Sequence, residues 1–307
     1  MKLSIAAIVK NEADSLLEWI AFHRVIGVQS FFIADNDSTD GTSEMLEALA
    51  ELGLVQRIPF PTPENGNVQM PAYAVLLANA RGKCDVVAFI DADEYLLPTD
   101  GSTSLLPLID QLFARPDVSA VGLNWANFGS GGALFAEDGL VIERFTKRAK
   151  QNFGVNFHIK TLLRPERGLK FANPHFVDLS SGRYVDATGG DIAPHTKHGK
   201  GLSSEIVWIG ARINHYATKS LEEFLVGKSR RGSATKKARI KHKKYFTSHD
   251  RNEEECLIAK QFSPQVRVEH ERLRELIEAK LSRPEKKPPF TSRWHALTQR
   301  LRQKNIG

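Results

Sequence analysis

The sequence is poor in cysteine. Only two of its 307 residues are cysteines, Cys84 and Cys256, and they lie far apart along the chain. Two distant thiols predict neither the disulfide framework of a small secreted domain nor the closely spaced cysteine ligands of a zinc site. A chain of this length can instead bury a substantial apolar core.

Long apolar runs are also missing. No stretch approaches the roughly 20 residues that a transmembrane helix needs. The amino-terminal residues 1–5 lead directly into a strand-like segment and lack the layout of a signal peptide. We therefore expect a cytoplasmic protein, and the content of 41% hydrophobic and 25% charged residues is that of an ordinary soluble one.

Charge is unevenly distributed along the chain. The net charge is +6, but residues 221–307 hold 22 Lys and Arg against 11 Asp and Glu, so the rest of the chain is mildly acidic. Such a basic tail indicates either an anionic partner or a solvated helical face. Its densest cluster, residues 236–245, lacks interleaved aromatic residues. We therefore expect no nucleic-acid partner, and favour peripheral contact with anionic lipid, or a lipid-linked acceptor, at the inner face of the membrane.

Apolar runs of strand length alternate with helical patterns in the first third of the chain. Strands are predicted at residues 2–9, 30–34 and 54–58 and from residue 86, with helices at 16–25, 42–52 and 70–80 between them. This alternation predicts an α/β fold with a mostly parallel central sheet flanked by helices. Further strands, predicted to be antiparallel, lie at residues 157–163 and 184–187. A domain of residues 1–232 would be followed by a basic, mainly helical extension of residues 233–307.

The apolar run that starts at Val86 ends in three carboxylates, Asp91, Asp93 and Glu94. If the strand continues through Asp91 and Asp93, their side chains point to the same face at the edge where α/β sheets bind ligands. Oxygen ligands at this spacing suit Mg²⁺ or Mn²⁺ held together with substrate phosphates. The alternative is an acidic turn that caps the next element.

Polar clusters follow three successive predicted strands. They are Ile8-Val9-Lys10-Asn11-Glu12, residues 32–42 and Phe89-Ile90-Asp91-Ala92-Asp93-Glu94, supported by residues 18–23, 125–131 and 214–220. In order and spacing, over residues 1–232, these motifs resemble glycosyltransferases of the type A fold, specifically family 2-like and family 92-like domains. The resemblance implies transfer of a sugar from a UDP- or GDP-linked donor to a hydroxyl of a glycan, glycolipid or surface polysaccharide, with inversion.

The resemblance also implies a donor site at the first two clusters. Asp35 and Asn36 would read the nucleoside. Lys10, Asn11 and Glu12 would line the same site from the end of the first strand.

A metal site is implied at the third cluster. Asp91 and Asp93 would hold Mn²⁺ or Mg²⁺ against the diphosphate, with Asp93 as the direct ligand and Asp91 nearer the ribose or a metal-bound water. His215 is a further candidate ligand as a neutral imidazole, and Lys219 a candidate phosphate contact. For His215 the alternative is a histidine satisfied within the core.

An inverting transfer needs a general base, and a carboxylate is the usual choice. Asp138, in the pair Glu137-Asp138 beside a glycine-rich loop, is the first candidate. The alternatives are Glu143, Asp178, Asp186 and Asp191. Glu94 has no assigned role and either orients a ligand or caps the turn.

Two other functions compete with a glycosyltransferase. A nucleotidyltransferase could use similar carboxylates on a similar sheet, but the glycine-rich, basic phosphate loop expected after the first strand is missing. A non-catalytic protein could bind anions or nucleic acid through the basic tail.

Overall fold

The computed structural model describes residues 1–64, 66–231 and 242–282. Its first third alternates strand and helix as the sequence predicts, because each apolar run is followed by polar turn residues. The elements are β1 (Leu3–Val9), α1 (Leu16–Val25), β2 (Ser30–Asp35), α2 (Thr42–Glu51), β3 (Val55–Pro59), α3 (Gln69–Ala80) and β4 (Val86–Phe89).

The middle of the chain adds strands of both directions. The elements are β5 (Glu94–Pro98), α4 (Leu106–Phe113), β6 (Val118–Asn127), α5 (Val141–Arg144), β7 (Lys147–Arg148), β8 (Ile159–Leu163), β9 (Gly168–Asn173), β10 (Phe176–Leu179), β11 (Arg183–Val185), β12 (Pro194–His195), β13 (Gly199–Ser203) and β14 (Ala211–His215). After β14 come α6 (Leu221–Glu223), a π-helical segment (Phe224–Lys228), α7 (Ser229–Arg231), α8 (Lys243–His249), β15 (Glu254–Glu255) and α9 (Ser263–Leu281).

One sheet organises the described residues. Its strand order is β3-β2-β1-β4-β8-β6-β14-β5, with β11 paired to β6. Strands β1 to β4 are mutually parallel, and β14 runs parallel to β6. Strand β8 runs antiparallel between β4 and β6, as expected for residues 157–163. The predicted α/β architecture, a mostly parallel sheet flanked by helices, is confirmed.

The direction of β11 differs from the sequence prediction. The sequence predicts an antiparallel strand at residues 184–187, whereas Arg183–Val185 pairs in parallel with β6. Whether a strand pairs in parallel or antiparallel depends on the path of the chain that connects it to its neighbour. The local residue pattern does not encode that path.

Helix α1 fixes the turn between β4 and β5. The indole of Trp19 donates to the carbonyl of Glu94 at 2.7 Å, and Nε2 of His23 accepts from the backbone N–H of Leu96 at 3.1 Å. Both side chains are fully buried. This helix therefore holds the acidic motif against the edge of the sheet.

The described part of the predicted extension packs onto the sheet domain. In α9, Val266 and Leu273 are completely buried, and Arg24 of α1 is ion-paired with Glu269 at 2.6 Å. The boundary at residue 232 and most of the basic cluster, residues 236–241, lie outside the described residues, so the division at that point stays a prediction. Among the described residues, no helix combines the length and apolarity needed to cross a membrane.

Candidate functional site

The acidic motif lies in a turn. Strand β4 ends at Phe89 and β5 begins at Glu94, so the strand does not continue through Asp91 and Asp93. The two aspartates therefore have different neighbours: Asp91 contacts α3 and β8, whereas Asp93 contacts β14 and the π-helical segment.

Asp91 is held by three side chains. Its Oδ2 accepts from the ammonium of Lys160 at 2.8 Å, and its Oδ1 accepts from Tyr73 at 3.1 Å and Gln69 at 3.2 Å. Lys160, on β8, is completely buried. The carboxylate of Asp91 is thus fixed by the buried ammonium group of Lys160.

Glu94 is also completely buried and shares Lys160. One carboxylate oxygen lies 3.3 Å from Lys160 Nζ and accepts from the backbone N–H of Asp91 at 3.0 Å. The other oxygen, Oε1, has no hydrogen-bond partner among the described residues. Burial raises the pKa of Glu94, and although burial lowers the pKa of Lys160, the carboxylates of Asp91 and Glu94 raise it well above its usual value.

Asp93 faces a different pair of groups. Its Oδ2 is ion-paired with Lys228 and lies 3.6 Å from Nε2 of His215. Burial lowers the pKa of His215 to about 4, so its imidazole is neutral at pH 7. The Nδ1 of His215 has no hydrogen-bond partner within the part of the chain that the structure describes.

Asp93, Glu94 and His215 form a candidate metal centre, since one ligand atom of each lies within 4.8 Å of the others. Of the predicted ligands, Asp93 and His215 are brought together, whereas Asp91 lies outside the group and its Oδ2 is ion-paired with Lys160. The sequence assigns no role to Glu94, because a single residue pattern does not show which side of a turn a carboxylate faces. The assignment of a metal to these residues stays a prediction.

The two earlier polar clusters are tied to each other. The side chain of Asn11 accepts from the backbone N–H of Thr39 at 2.7 Å, and the backbone N–H of Glu12 donates to Thr42 at 2.9 Å. Asn11 adopts a φ of 55°, a left-handed conformation that asparagine tolerates. Lys10 lies at the same loop.

Asp35 and Asn36 are buried at the end of β2. Oδ2 of Asp35 accepts from Arg57 at 2.8 Å and from Ser43 at 2.6 Å, while Oδ1 has no hydrogen-bond partner among the described residues. The amide of Asn36 donates to the carbonyl of Phe60 at 2.9 Å. Arg57 is not predicted from the sequence, because its strand β3 shows no signal of a site.

Lys219 lies just after β14 with a φ of 53°. Burial lowers its pKa, and the carboxylates of Glu223, Glu18 and Asp93 act in the opposite direction. The role of Lys219 as a phosphate contact stays a prediction. Glu18 is itself buried, and burial raises its pKa to about 7.

Asp138 is exposed in the segment before α5. No described hydrogen bond or ion pair links it to the candidate metal centre, so its role as the base stays a prediction. The alternatives are engaged elsewhere: Glu143 with Arg267, Asp178 with Lys200, Asp186 with Thr188 and Asp191 with Arg183.

The sheet order and the polar clusters at one edge of it define an α/β protein with a candidate site at the ends of its parallel strands. The chain belongs to glycosyltransferase family 92, because the model of that family matches residues 3–276. The family resemblance of the motifs is thereby confirmed. The architecture expected of the type A fold, a mostly parallel sheet flanked by helices, is the one observed.

Plant proteins of this family are similar to parts of the chain. A glycosyltransferase family 92 protein of Oryza sativa subsp. japonica is 31% identical over 131 residues, which is 42% of this chain and 22% of the rice protein. One from Ricinus communis is 34% identical over 100 residues, 32% of this chain and 18% of that protein. The matched region thus spans less than a quarter of either relative.

Solved structures show a more distant likeness. Residues 1–349 of TarS from S. aureus, in complex with UDP, have a TM-score of 0.35 and 16% identity, covering 54% of this chain and 47% of that TarS chain. Glucosyl-3-phosphoglycerate synthase from Mycobacterium tuberculosis, in complex with Mn²⁺, UDP-glucose and phosphoglyceric acid, has a TM-score of 0.35 and 17% identity, covering 61% and 70%. Likeness at this level supports no conclusion about the ligands of this chain.

Proposed function

We propose that the protein is a metal-dependent glycosyltransferase that moves a sugar from a nucleoside-diphosphate donor, UDP- or GDP-linked, to a hydroxyl acceptor with inversion. The observation that carries the proposal is the group of Asp93, Glu94 and His215 at the sheet edge of a family 92 chain.

The chemistry of this group fits Mn²⁺ or Mg²⁺. Carboxylate oxygens suit both ions, and a neutral imidazole suits the transition metal. Glu94 Oε1 and His215 Nδ1 are buried polar atoms without a hydrogen-bond partner among the described residues, which is costly unless another group binds there. When bound, such an ion neutralises the charge that develops on the departing diphosphate.

Asp35 supports a nucleoside site. Arg57 and Ser43 fix its Oδ2, so the carboxylate is pre-oriented, and the buried Oδ1 still has capacity to accept a hydrogen bond. An N–H of the base or a ribose hydroxyl is a donor of the right kind. Asn11, Glu12 and Lys10 border this position from the loop after β1, since that loop is bonded to the loop after β2.

In the proposed reaction the acceptor oxygen attacks the anomeric carbon, and the bond from that carbon to the diphosphate oxygen breaks. Asp138 takes the proton of the acceptor hydroxyl, and Lys219 binds the diphosphate as a point charge. The acceptor is a glycan, glycolipid or surface polysaccharide. The cytoplasmic location and the contact of the basic tail with anionic membrane stay predictions.

Turnover of a panel of UDP- and GDP-sugars, measured with Mn²⁺ and with EDTA, tests the proposal. We expect Mn²⁺-dependent release of UDP or GDP, and loss of that release, about a hundredfold or more, in Asp93→Asn without a change in the far-UV circular dichroism spectrum. Glu47→Gln, which changes an exposed carboxylate on α2, is the control and should keep full activity. Absence of turnover with every donor, or an active Asp93→Asn enzyme, contradicts the proposal.

A further inference from the structure

Lys228 occupies a position that its surroundings define closely. It is the last residue of the π-helical segment, and its ammonium is ion-paired with Oδ2 of Asp93, the oxygen that faces His215. π-Helical turns are rare and frequently lie at functional sites. The ammonium group of Lys228 thus contacts the carboxylate of Asp93, one of the three residues of the candidate metal centre.

The lysine is held there by the carboxyl-terminal part of the chain. Tyr245 of α8 hydrogen-bonds to the ammonium, whose nitrogen lies 5.5 Å from the centroid of the tyrosine ring. The ring stacks on His249 at 3.9 Å, and the carbonyl of His249 accepts from the side chain of Asn127 at 2.6 Å. Helix α8 is therefore attached to the end of β6 and positions Tyr245 over Lys228.

The two lysines of the site differ in their freedom to move. Lys160 is completely buried between Asp91 and Glu94, on a central strand of the sheet. The side chain of Lys228 is 17% exposed and lies on a short helical segment between β14 and α8. A divalent ion on Asp93 would meet the ammonium of Lys228 at contact distance, where like charges repel strongly.

We propose that Lys228 competes with the divalent cation for Asp93 and transfers to the diphosphate of the donor when cation and donor bind together. This inference rests on the proposed function. The carboxylates of Asp91, Asp93 and Glu94 already face two ammonium groups, so a divalent ion alone brings unfavourable positive charge to the site. A diphosphate supplies the missing negative charge and a new partner for Lys228. Metal and nucleotide therefore bind cooperatively, and Lys228 is a source of that coupling.

Binding of Mn²⁺ to the full-length protein, followed by the electron paramagnetic resonance signal of free Mn²⁺, tests this role without any turnover. Without nucleotide, Lys228→Met should bind Mn²⁺ at least tenfold more tightly than the wild type. Saturating UDP should tighten Mn²⁺ binding strongly in the wild type and at least tenfold less in Lys228→Met. Tyr245→Phe, which removes the phenol oxygen but keeps the ammonium, should shift Mn²⁺ affinity in the same direction by a smaller factor.

Two controls separate this role from a general loss of charge. Lys244→Met removes an exposed lysine of the same helix as Tyr245, and Lys228→Arg keeps a cation at the site; both should bind Mn²⁺ as the wild type does. Equal or weaker binding of Mn²⁺ by folded Lys228→Met, or no binding by either protein, overturns the inference. Failure of the proposed function would instead appear as absence of sugar-nucleotide turnover by the wild type, whatever the ratio of Mn²⁺ affinities.

Discussion

Removal of the buried ammonium of Lys160 should destabilise the fold strongly. Lys160 and Glu94 have completely buried side chains, and Asp91 is 32% exposed, so Lys160→Met leaves one buried and one half-buried carboxylate facing each other without a counter-charge. Breaking a buried ion pair by removing one partner costs about 3–5 kcal/mol. At roughly 2–4 °C per kcal/mol for a large domain, the expected fall in melting temperature is about 10 °C.

The assay is thermal unfolding followed by circular dichroism, in EDTA so that no divalent ion substitutes for the ammonium. The double variant Lys160→Met/Glu94→Gln should recover much of the lost stability, because it removes the buried negative charge together with the positive one. Lys170→Met, an exposed lysine on β9, is the matched control and should melt with the wild type. A Lys160→Met protein that melts within about 2 °C of the wild type would refute the charge-pair reasoning.

Two further substitutions test other parts of the structure. Burial raises the pKa of Glu18 in the folded protein to about 7, above the usual value of 4.5, so its contribution to stability is present at low pH and is lost as pH rises to about 7. Measured by urea unfolding, the free energy of unfolding of Glu18→Gln should therefore rise relative to that of the wild type by up to about 3 kcal/mol between pH 4.5 and 8. The glutamine can still accept a hydrogen bond from the backbone N–H of Val141. A difference between the two proteins that does not change with pH would contradict this reasoning. A side chain at Gly129 would place its Cβ 2.5 Å from the carbonyl oxygen and 2.7 Å from the amide nitrogen of Arg251, so Gly129→Ala should destabilise by about 1–3 kcal/mol and open residues 242–252 to proteolysis. Gly154→Ala, which meets nothing within 4 Å, is its control, and equal proteolysis of the two variants would count against the close contact.

The local residue pattern is sufficient to predict strands and helices that form the framework of the fold. The predicted strand at residues 2–9 is observed as Leu3–Val9, and the predicted helix at residues 16–25 as Leu16–Val25. Strand and helix periods are properties of neighbouring residues, so one sequence shows them. The placement of polar clusters after strands is equally local, and it predicts Asn11, Asp35 and Asp93 at one edge of the sheet.

Pairing across the chain depends on the tertiary structure. Lys160 is 69 residues from Asp91, and Lys228 is 135 residues from Asp93, so no local spacing connects either pair. Burial of Glu94 and its distance to His215 depend on the pairing of β5 with β14, which a sequence pattern does not specify.

The sequence by itself determined the order of strands and helices, the acidic motif and the family to which the chain belongs. Only the tertiary structure decided which carboxylate meets which cation. The turn between β4 and β5 separates Asp91 from Asp93, because residues two apart share a face in a continuing strand but not in a turn, and the pairing of β5 with β14 brings Glu94 next to His215.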